Sequence, residues 1–224
     1  MRLIIGDCNY STWSMRPWLF VHKHGLPVEM AQFGLSGAEL RRVLAERFSG
    51  GKVPVLLGGD TEVWDSLAIL EYLGERFPES RPWPEDPAAR AVARSASAEM
   101  HSSFPALRAE APMNLRRRFP GYRLGEAAVR DADRIQAVWR YCRERFGGEG
   151  PWLFGRFSIA DAMYAPVVMR FRSVTVELDA CAADYCRTME ADPSVREWIR
   201  LALAETRIVE EDELDWPSEA VTEI

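Results

Sequence analysis

Four prolines fall within ten residues at 78–87, PESRPWPEDP. Proline lacks an N–H and its ring clashes with the preceding helical turn, so no helix or central strand runs through such a tract. It divides the 224 residues into two parts of different character. Ahead of it, short apolar runs alternate with amphipathic stretches. Beyond it, apolar residues recur at helical spacing almost throughout. The expected fold is an α/β domain over 1–78, a linker over 79–87 and an all-helical domain over 88–224.

The first part reads in order as strand, helix, strand, helix, two strands and a helix. Arg2 to Gly6 is an apolar strand leading into a polar and aromatic loop. Met15 to His24 is a helix with Ser14 as N-cap, Pro17 in its first turn, and Gly25 and Pro27 ending it. Val28 to Phe33 is a strand. Gly37 to Phe48 is a helix with Leu40, Val43, Leu44 and Phe48 facing inward. Val53-Pro54 then leads into Val55–Leu57, Gly58-Gly59-Asp60 supplies a tight turn, and Thr61 to Trp64 returns. Asp65-Ser66 opens a helix whose apolar face is Ile69, Leu70, Leu73 and Phe77. This order matches a thioredoxin-like domain. In the second part, residues 88 to about 111 read as one long helix kinked at Pro105. Helices over Gly125–Phe146, Ser158–Arg172, Asp179–Glu190 and Ser194–Glu205 follow. The tail over 210–224 is acidic and reads as less ordered, or packed as a flap.

A net charge of −6 argues against nucleic acid or an anionic membrane as the main partner. No apolar run approaches the ~20 residues of a membrane span, and the apolar segment at the N-terminus is too short for a signal peptide. Cys8, Cys142, Cys181 and Cys186 show no metal-ligand spacing, nor do the scattered histidines. The expectation is a reduced, cytoplasmic protein that binds no metal.

The start of the helix after Asp65 carries chemistry. Free N–H groups there, with the Ser66 hydroxyl, can seat a carboxylate, and Asp65 beside them can hold an ammonium. An α-amino acid end would fit. The same two residues can equally be no more than a cap. Ser158-Ile159-Ala160-Asp161, after the glycine-containing loop over 147–157, fits a capping box.

Taken together, Val53-Pro54 before a strand, Asp65-Ser66 opening the next helix, the proline linker and the Ser158–Asp161 box resemble the cytosolic glutathione transferases over nearly the whole chain. The resemblance implies a cis bond at Pro54, a Val53 backbone that pairs with the cysteinyl part of glutathione, and a γ-glutamyl end held by Asp65 and Ser66. Lys52 would contact the glycyl carboxylate. Glutathione would be the co-substrate and the protein a homodimer.

In that family a thiolate attacks an electrophile, and the protein lowers the thiol pKa. A hydroxyl near the N-terminus of the first helix can do this with help from the helix dipole. Tyr10, Ser11, Thr12 and Ser14 are candidates. Counting back from Gly25, Ser11 falls where the serine-type classes similar to zeta and theta place their hydroxyl, with Tyr10 as the alternative. The run Ser11-Thr12-Trp13 departs from the serine-serine-cysteine pattern of the zeta class. Cys8 sits three residues ahead of Ser11 and reads as a small buried apolar residue. Tyr10, Trp13, Phe104 and Arg108, with Met100, Ser103 and Leu107, are expected to line a second-substrate pocket between the domains. Arg16 reads as a solvated first-turn residue, with contact to an anionic substrate as the alternative, and Arg116-Arg117-Arg118 reads as a solvated charge run. The leading function is glutathione transfer to a small electrophile. Glutathione-dependent isomerisation, a non-catalytic binding module and, through Cys8, thiol–disulfide exchange are the alternatives.

Overall fold

The computed structural model describes residues 1–45 and 47–222. Glu46, within the helix expected over 37–48, and residues 223–224 of the acidic tail lie outside the described residues.

The N-terminal domain is built around β1 (Arg2–Ile5), whose Leu3, Ile4 and Ile5 are all buried. A strand apolar on both faces belongs in the middle of a covered sheet. Here β1 pairs in parallel with β2 (Glu29–Gln32) and antiparallel with β3 (Val55–Gly58), which pairs with β4 (Thr61–Trp64). The sheet order is β2-β1-β3-β4. Strand alternation sends Leu3 and Ile5 into the main core with α1 (Thr12–His24) and α3 (Ser66–Arg76). Ile4 joins Leu40 and Leu44 of α2 (Ala38–Leu44), Ala31 and Val55 in a smaller cluster on the opposite face. Phe48, expected inward, is 80% exposed, and its ring lies 5.0 Å from that of Trp64, also exposed. The helix of this region ends at Leu44, so Phe48 is outside the periodicity that was to turn it inward.

The bond between Val53 and Pro54 is cis. The proline tract holds one 3₁₀ turn over Pro78–Ser80, and Pro87 starts α4 (Pro87–Ser102) with Asp86 as N-cap, accepting from the Ala89 N–H at 2.7 Å. The long helix expected over 88–111 is in fact broken. After α4, Phe104 adopts φ 67°, and Pro105 begins a separate α5 (Pro105–Glu110). Proline favours the first turn of a new helix over the interior of an old one.

The remaining helices are α6 (Glu126–Phe146), α7 (Ile159–Ser173), α8 (Ala180–Ala191) and α9 (Pro193–Leu203). Helix α7 is buried on nearly every face, and packs against both α1 and α4. Its capping box is formed in both directions, Ser158 with the backbone of Asp161 and Asp161 with the Ser158 N–H at 2.9 Å. One apolar core runs from β1 and α1 through α7 to α9. Polar contacts seal the same junction: Ile159 N–H donates to Pro82 O at 2.9 Å, and Lys23 on α1 pairs with Asp192 at the start of α9.

The segment after α9 packs back across the first domain. Glu205 accepts from the N–H groups of Cys8 (2.7 Å) and Asn9 (3.0 Å), and Arg207 pairs with Asp7. Beyond a 3₁₀ turn over Glu210–Asp212, β6 (Glu219–Ala220) pairs with β5 (Arg117–Arg118). The expected flap is therefore packed over its described part. The arginine run is not simply solvated: Arg116 donates to the carbonyls of Glu205 and Arg207 and to the Tyr10 hydroxyl.

Candidate functional site

The N-termini of α1 and α3 open onto one cleft of about 740 Å³. It runs between the sheet domain and the helical domain. Tyr10, Ser11, Trp13, Lys52, Val53 and Pro54 line it, as do Asp65, Ser66 and Arg108. Nine of the expected site residues thus converge from loops far apart in sequence, whereas Met100, Ser103 and Leu107, also expected on the pocket wall, do not line it. Nor does Phe104: it is buried in the core at the start of α5. Its left-handed backbone turns the chain between two helices, and its side chain joins the apolar interior with Met100 and Leu107.

Ser11, not Ser14, is the N-cap of α1. The Ser14 N–H points to Ser11 Oγ at 3.4 Å, the two hydroxyl oxygens lie 2.8 Å apart, and Ser14 Oγ accepts from the Gly6 N–H at 3.1 Å. The helix therefore begins one turn earlier than its apolar periodicity suggests. Ser11 combines the capping role common for such residues with a place on the cleft wall. The Tyr10 hydroxyl is engaged elsewhere, donating to Glu213 and accepting from Arg116 at 2.9 Å. Burial and the Glu213 carboxylate push its pKa up, so the phenol stays neutral.

Asp65, at φ 76°, caps α3 through one oxygen, accepting from Leu67 N–H (2.9 Å) and Ala68 N–H (3.3 Å). Its other oxygen lies 3.1 Å from His101 Nε2. The buried Ser66 hydroxyl accepts from Arg16 Nη1 at 3.1 Å. Arg16, expected in solvent, is completely buried. Its guanidinium lies 4.2 Å from the centre of the Trp13 ring, an attraction that offsets part of its lost hydration. Burial, then the nearby Arg108 and Arg170 guanidiniums, push its pKa down to about 9, leaving it cationic at neutral pH.

Cys8 is buried, and burial with the Glu205 carboxylate pushes its thiol far up. A thiol so placed has almost no thiolate at neutral pH.

The cleft also holds residues that sequence reasoning missed: His101, Arg170 and Asp212. Arg16 and Arg170 had a signal. Each is a cation inside a helix that is otherwise buried, and a charge so placed needs a partner or a purpose. His101 and Asp212 carry no comparable local mark. No helix of the described residues is long and apolar enough to cross a membrane.

Comparison with known proteins agrees with this architecture. Residues 10–76 match the family model for the glutathione S-transferase N-terminal domain, and residues 105–201 match that for its C-terminal domain. Glutathione S-transferase 1 of Dianthus caryophyllus is 33% identical over 115 residues, 51% of each chain. A glutathione S-transferase of Arabidopsis thaliana is 32% identical over 102 residues, 44% of each. The matched stretch thus spans about half the length of these relatives. Among solved structures, a glutathione transferase homologue from Burkholderia GL BGR1, with bound glutathione, superposes with a TM-score of 0.67 at 24% identity, covering 91% of this chain and 98% of that one. A Tau class enzyme from mango, Mangifera indica, gives 0.64 at 21%, covering 90% and 94%.

Proposed function

The chain belongs to the glutathione S-transferase family, and on that premise we propose that it binds glutathione in the interdomain cleft and transfers its thiolate to a small electrophile. One observation carries this reading: Ser11, Lys52, Val53, Pro54, Asp65 and Ser66 line the same cleft. In the proposed pose the γ-glutamyl carboxylate sits at the N-terminus of α3, where the Ser66 hydroxyl proton is free because its oxygen accepts from Arg16. The amino group lies by Asp65, sharing that carboxylate with His101. Among the described residues no hydrogen bond engages the Val53 backbone, which leaves it available to the cysteinyl amide. Lys52 meets the glycyl carboxylate.

Ser11 donates to the sulfur and, with the N-terminus of α1, favours thiolate over thiol. The thiol proton leaves to solvent, and the sulfur lone pair forms the bond to the electrophile as a leaving group departs with its bonding pair or, in an addition, as the electrophile's π electrons are displaced and take up a proton from solvent. Tyr10 and Trp13 line the electrophile side with Arg108. This is a serine-type mechanism, in line with the zeta and theta resemblance. An isomerase of the maleylacetoacetate kind would use the same thiolate and release it again. The buried, deactivated Cys8 weighs against disulfide exchange.

We also propose the domain boundaries 1–78 and 88–224 joined by 79–87, a cytoplasmic location consistent with four free cysteines, and a homodimer. Exposed Phe48 and Trp64, packed together on the first domain, are apolar surface of the kind an interface covers.

The test is titration of bound glutathione by thiolate absorbance near the ultraviolet, in wild type and Ser11→Ala. A depressed thiol pKa that reverts in Ser11→Ala supports the mechanism. Binding without a shift would make the site a holder, and a shift that survives the substitution would move the role to another hydroxyl.

A further inference from the structure

The wall that the helical domain contributes to the cleft is more cationic than a general hydrophobic-electrophile site requires. Arg108 on α5 and Arg170 on α7 both line the cleft, beside Pro112 and Met113. Neither forms an ion pair among the described residues. Both are held by backbone carbonyls. Arg108 Nε donates to Ser103 O at 2.9 Å, and its Nη2 to Met100 O. Arg170 Nη1 donates to Arg108 O at 3.2 Å and to Ala111 O.

These bonds fix the two guanidiniums and leave others of their N–H groups without a protein acceptor: Arg108 Nη1, and Arg170 Nε and Nη2. None of these nitrogens is fully enclosed, and both residues line the cleft. Among the described residues, Asp212 is the one carboxylate that the helical domain and its tail bring to the cleft. It faces Arg170 without reaching ion-pair distance. Arg16, itself unpaired by any carboxylate, stands behind Trp13, whose ring centre is 4.2 Å from the Arg16 guanidinium and 5.1 Å from that of Arg108. Burial and then the Arg108 guanidinium bring the Arg170 pKa down to about 10.

Asp131 near Arg108 and Asp212 near Arg170 act on them only from beyond ion-pair distance, and two anchored guanidiniums without a contacting carboxylate, beside apolar residues, are a costly arrangement for an empty or neutral-ligand site. A ligand carboxylate would offset that cost, because its two oxygens match the guanidinium fork. We infer that the electrophile is a carboxylate-bearing molecule, its carboxylate received by Arg108 and Arg170. The inference rests on the transferase reading and specifies its substrate class.

The probe pair is 4-chloro-3,5-dinitrobenzoate and its methyl ester. In either, the glutathione sulfur forms a bond to C4, chloride leaves with the bonding pair, and the thiol proton goes to solvent. Each kcat/KM is divided by the rate constant of the same electrophile with free glutathione. Wild type is expected to favour the acid by at least about tenfold, a preference worth ~1.4 kcal/mol. In Arg108→Gln, and in Arg170→Gln where that buried substitution folds, the acid-to-ester ratio should fall by about tenfold. Equal acceleration of acid and ester by wild type overturns the substrate class while leaving the transferase reading intact. So does a ratio unmoved in both variants. If the variants instead raise the Kd for glutathione and leave the ratio unchanged, the arginines serve glutathione and the inference fails. Acceleration of neither compound, with no glutathione binding, removes both readings together.

Discussion

The hydroxyl oxygens of Ser11 and Ser14 lie 2.8 Å apart at the start of α1, and Ser14 Oγ also accepts from the Gly6 N–H. Without ligand the Ser11 hydroxyl donates to Ser14 Oγ; when a ligand sulfur takes the Ser11 proton instead, Ser14 can turn its own proton toward Ser11 Oγ. The Ser11 proton then points to the cleft. A chain Gly6 N–H, Ser14, Ser11 then ends on the ligand sulfur, each bond polarising the next. Ser14→Ala should therefore raise the pKa of bound glutathione, by about half a unit to one unit, without abolishing binding. Ultraviolet titration of the complex measures this, and an unchanged pKa would remove Ser14 from the chain.

Arg16 and Ser66 make a second pair, and one with opposed consequences. A fully buried cation with no carboxylate partner weakens the fold, while its bond to Ser66 Oγ orients the hydroxyl toward the cleft. Methionine has similar length and no charge to desolvate. Arg16→Met should leave the urea midpoint unchanged or raise it, as replacement of buried charge by apolar volume often does. Glutathione affinity should fall about tenfold, ~1.4 kcal/mol. Combining it with Ser66→Ala in a double-mutant cycle should give less than the sum of the two losses. Additive losses would show that Arg16 does not act through Ser66.

The sequence carried most of the fold because its signals are local. The apolar run of β1, the Gly-Gly-Asp turn before β4 and the Ser158–Asp161 box each mark an element within a few residues. The errors have local causes too. Apolar spacing continues from α4 into α5, yet Pro105 opens a new helix after a left-handed Phe104, a backbone choice that side-chain periodicity does not record. Ser14 is a fair cap by type, but the cap belongs to Ser11 because β1 ends close enough for Gly6 to occupy Ser14. Within the site, the residues near α1 and α3 were legible from their type and order. Arg170, His101 and Asp212 arrive from the helical domain, and only tertiary packing decides that they share a cleft with Ser11.

The four cysteines should separate by accessibility. Burial pushes the thiols of Cys142 and Cys186 up to about 12 and that of Cys8 higher still. Cys181 is partly exposed, with Arg143 Nη1 3.9 Å from its sulfur. An aromatic disulfide reagent at pH 8 should thus titrate one thiol rapidly in the native protein and four in denaturant. Cys181→Ser should remove the fast phase. A fast phase that persists in that variant and disappears in Cys8→Ser would reopen thiol exchange through Cys8.

Asp161 ties the loop before α7 to the helix itself. One carboxylate oxygen accepts from Leu153 N–H and Tyr185 Oη, both at 3.1 Å, and the other from Ser158 N–H (2.9 Å) and Ser158 Oγ (3.2 Å). Asparagine keeps the shape but presents an amide donor to one of these donor pairs. Asp161→Asn should therefore destabilise the protein by about 2–3 kcal/mol, the scale of buried donors left unsatisfied. Despite these bonds, burial dominates and pushes the Asp161 carboxyl up to about 6. Between the unfolded value near 4 and about 6, the native state holds a proton that the unfolded chain has released. Stability from this group is thus full below about pH 4 and declines as pH rises through 6. Urea midpoints from pH 4 to 7 should show that decline in wild type after subtraction of the Asp161→Asn curve. A difference that is flat, or that rises with pH, would mean that the hydrogen bonds outweigh burial and keep the carboxylate ionised.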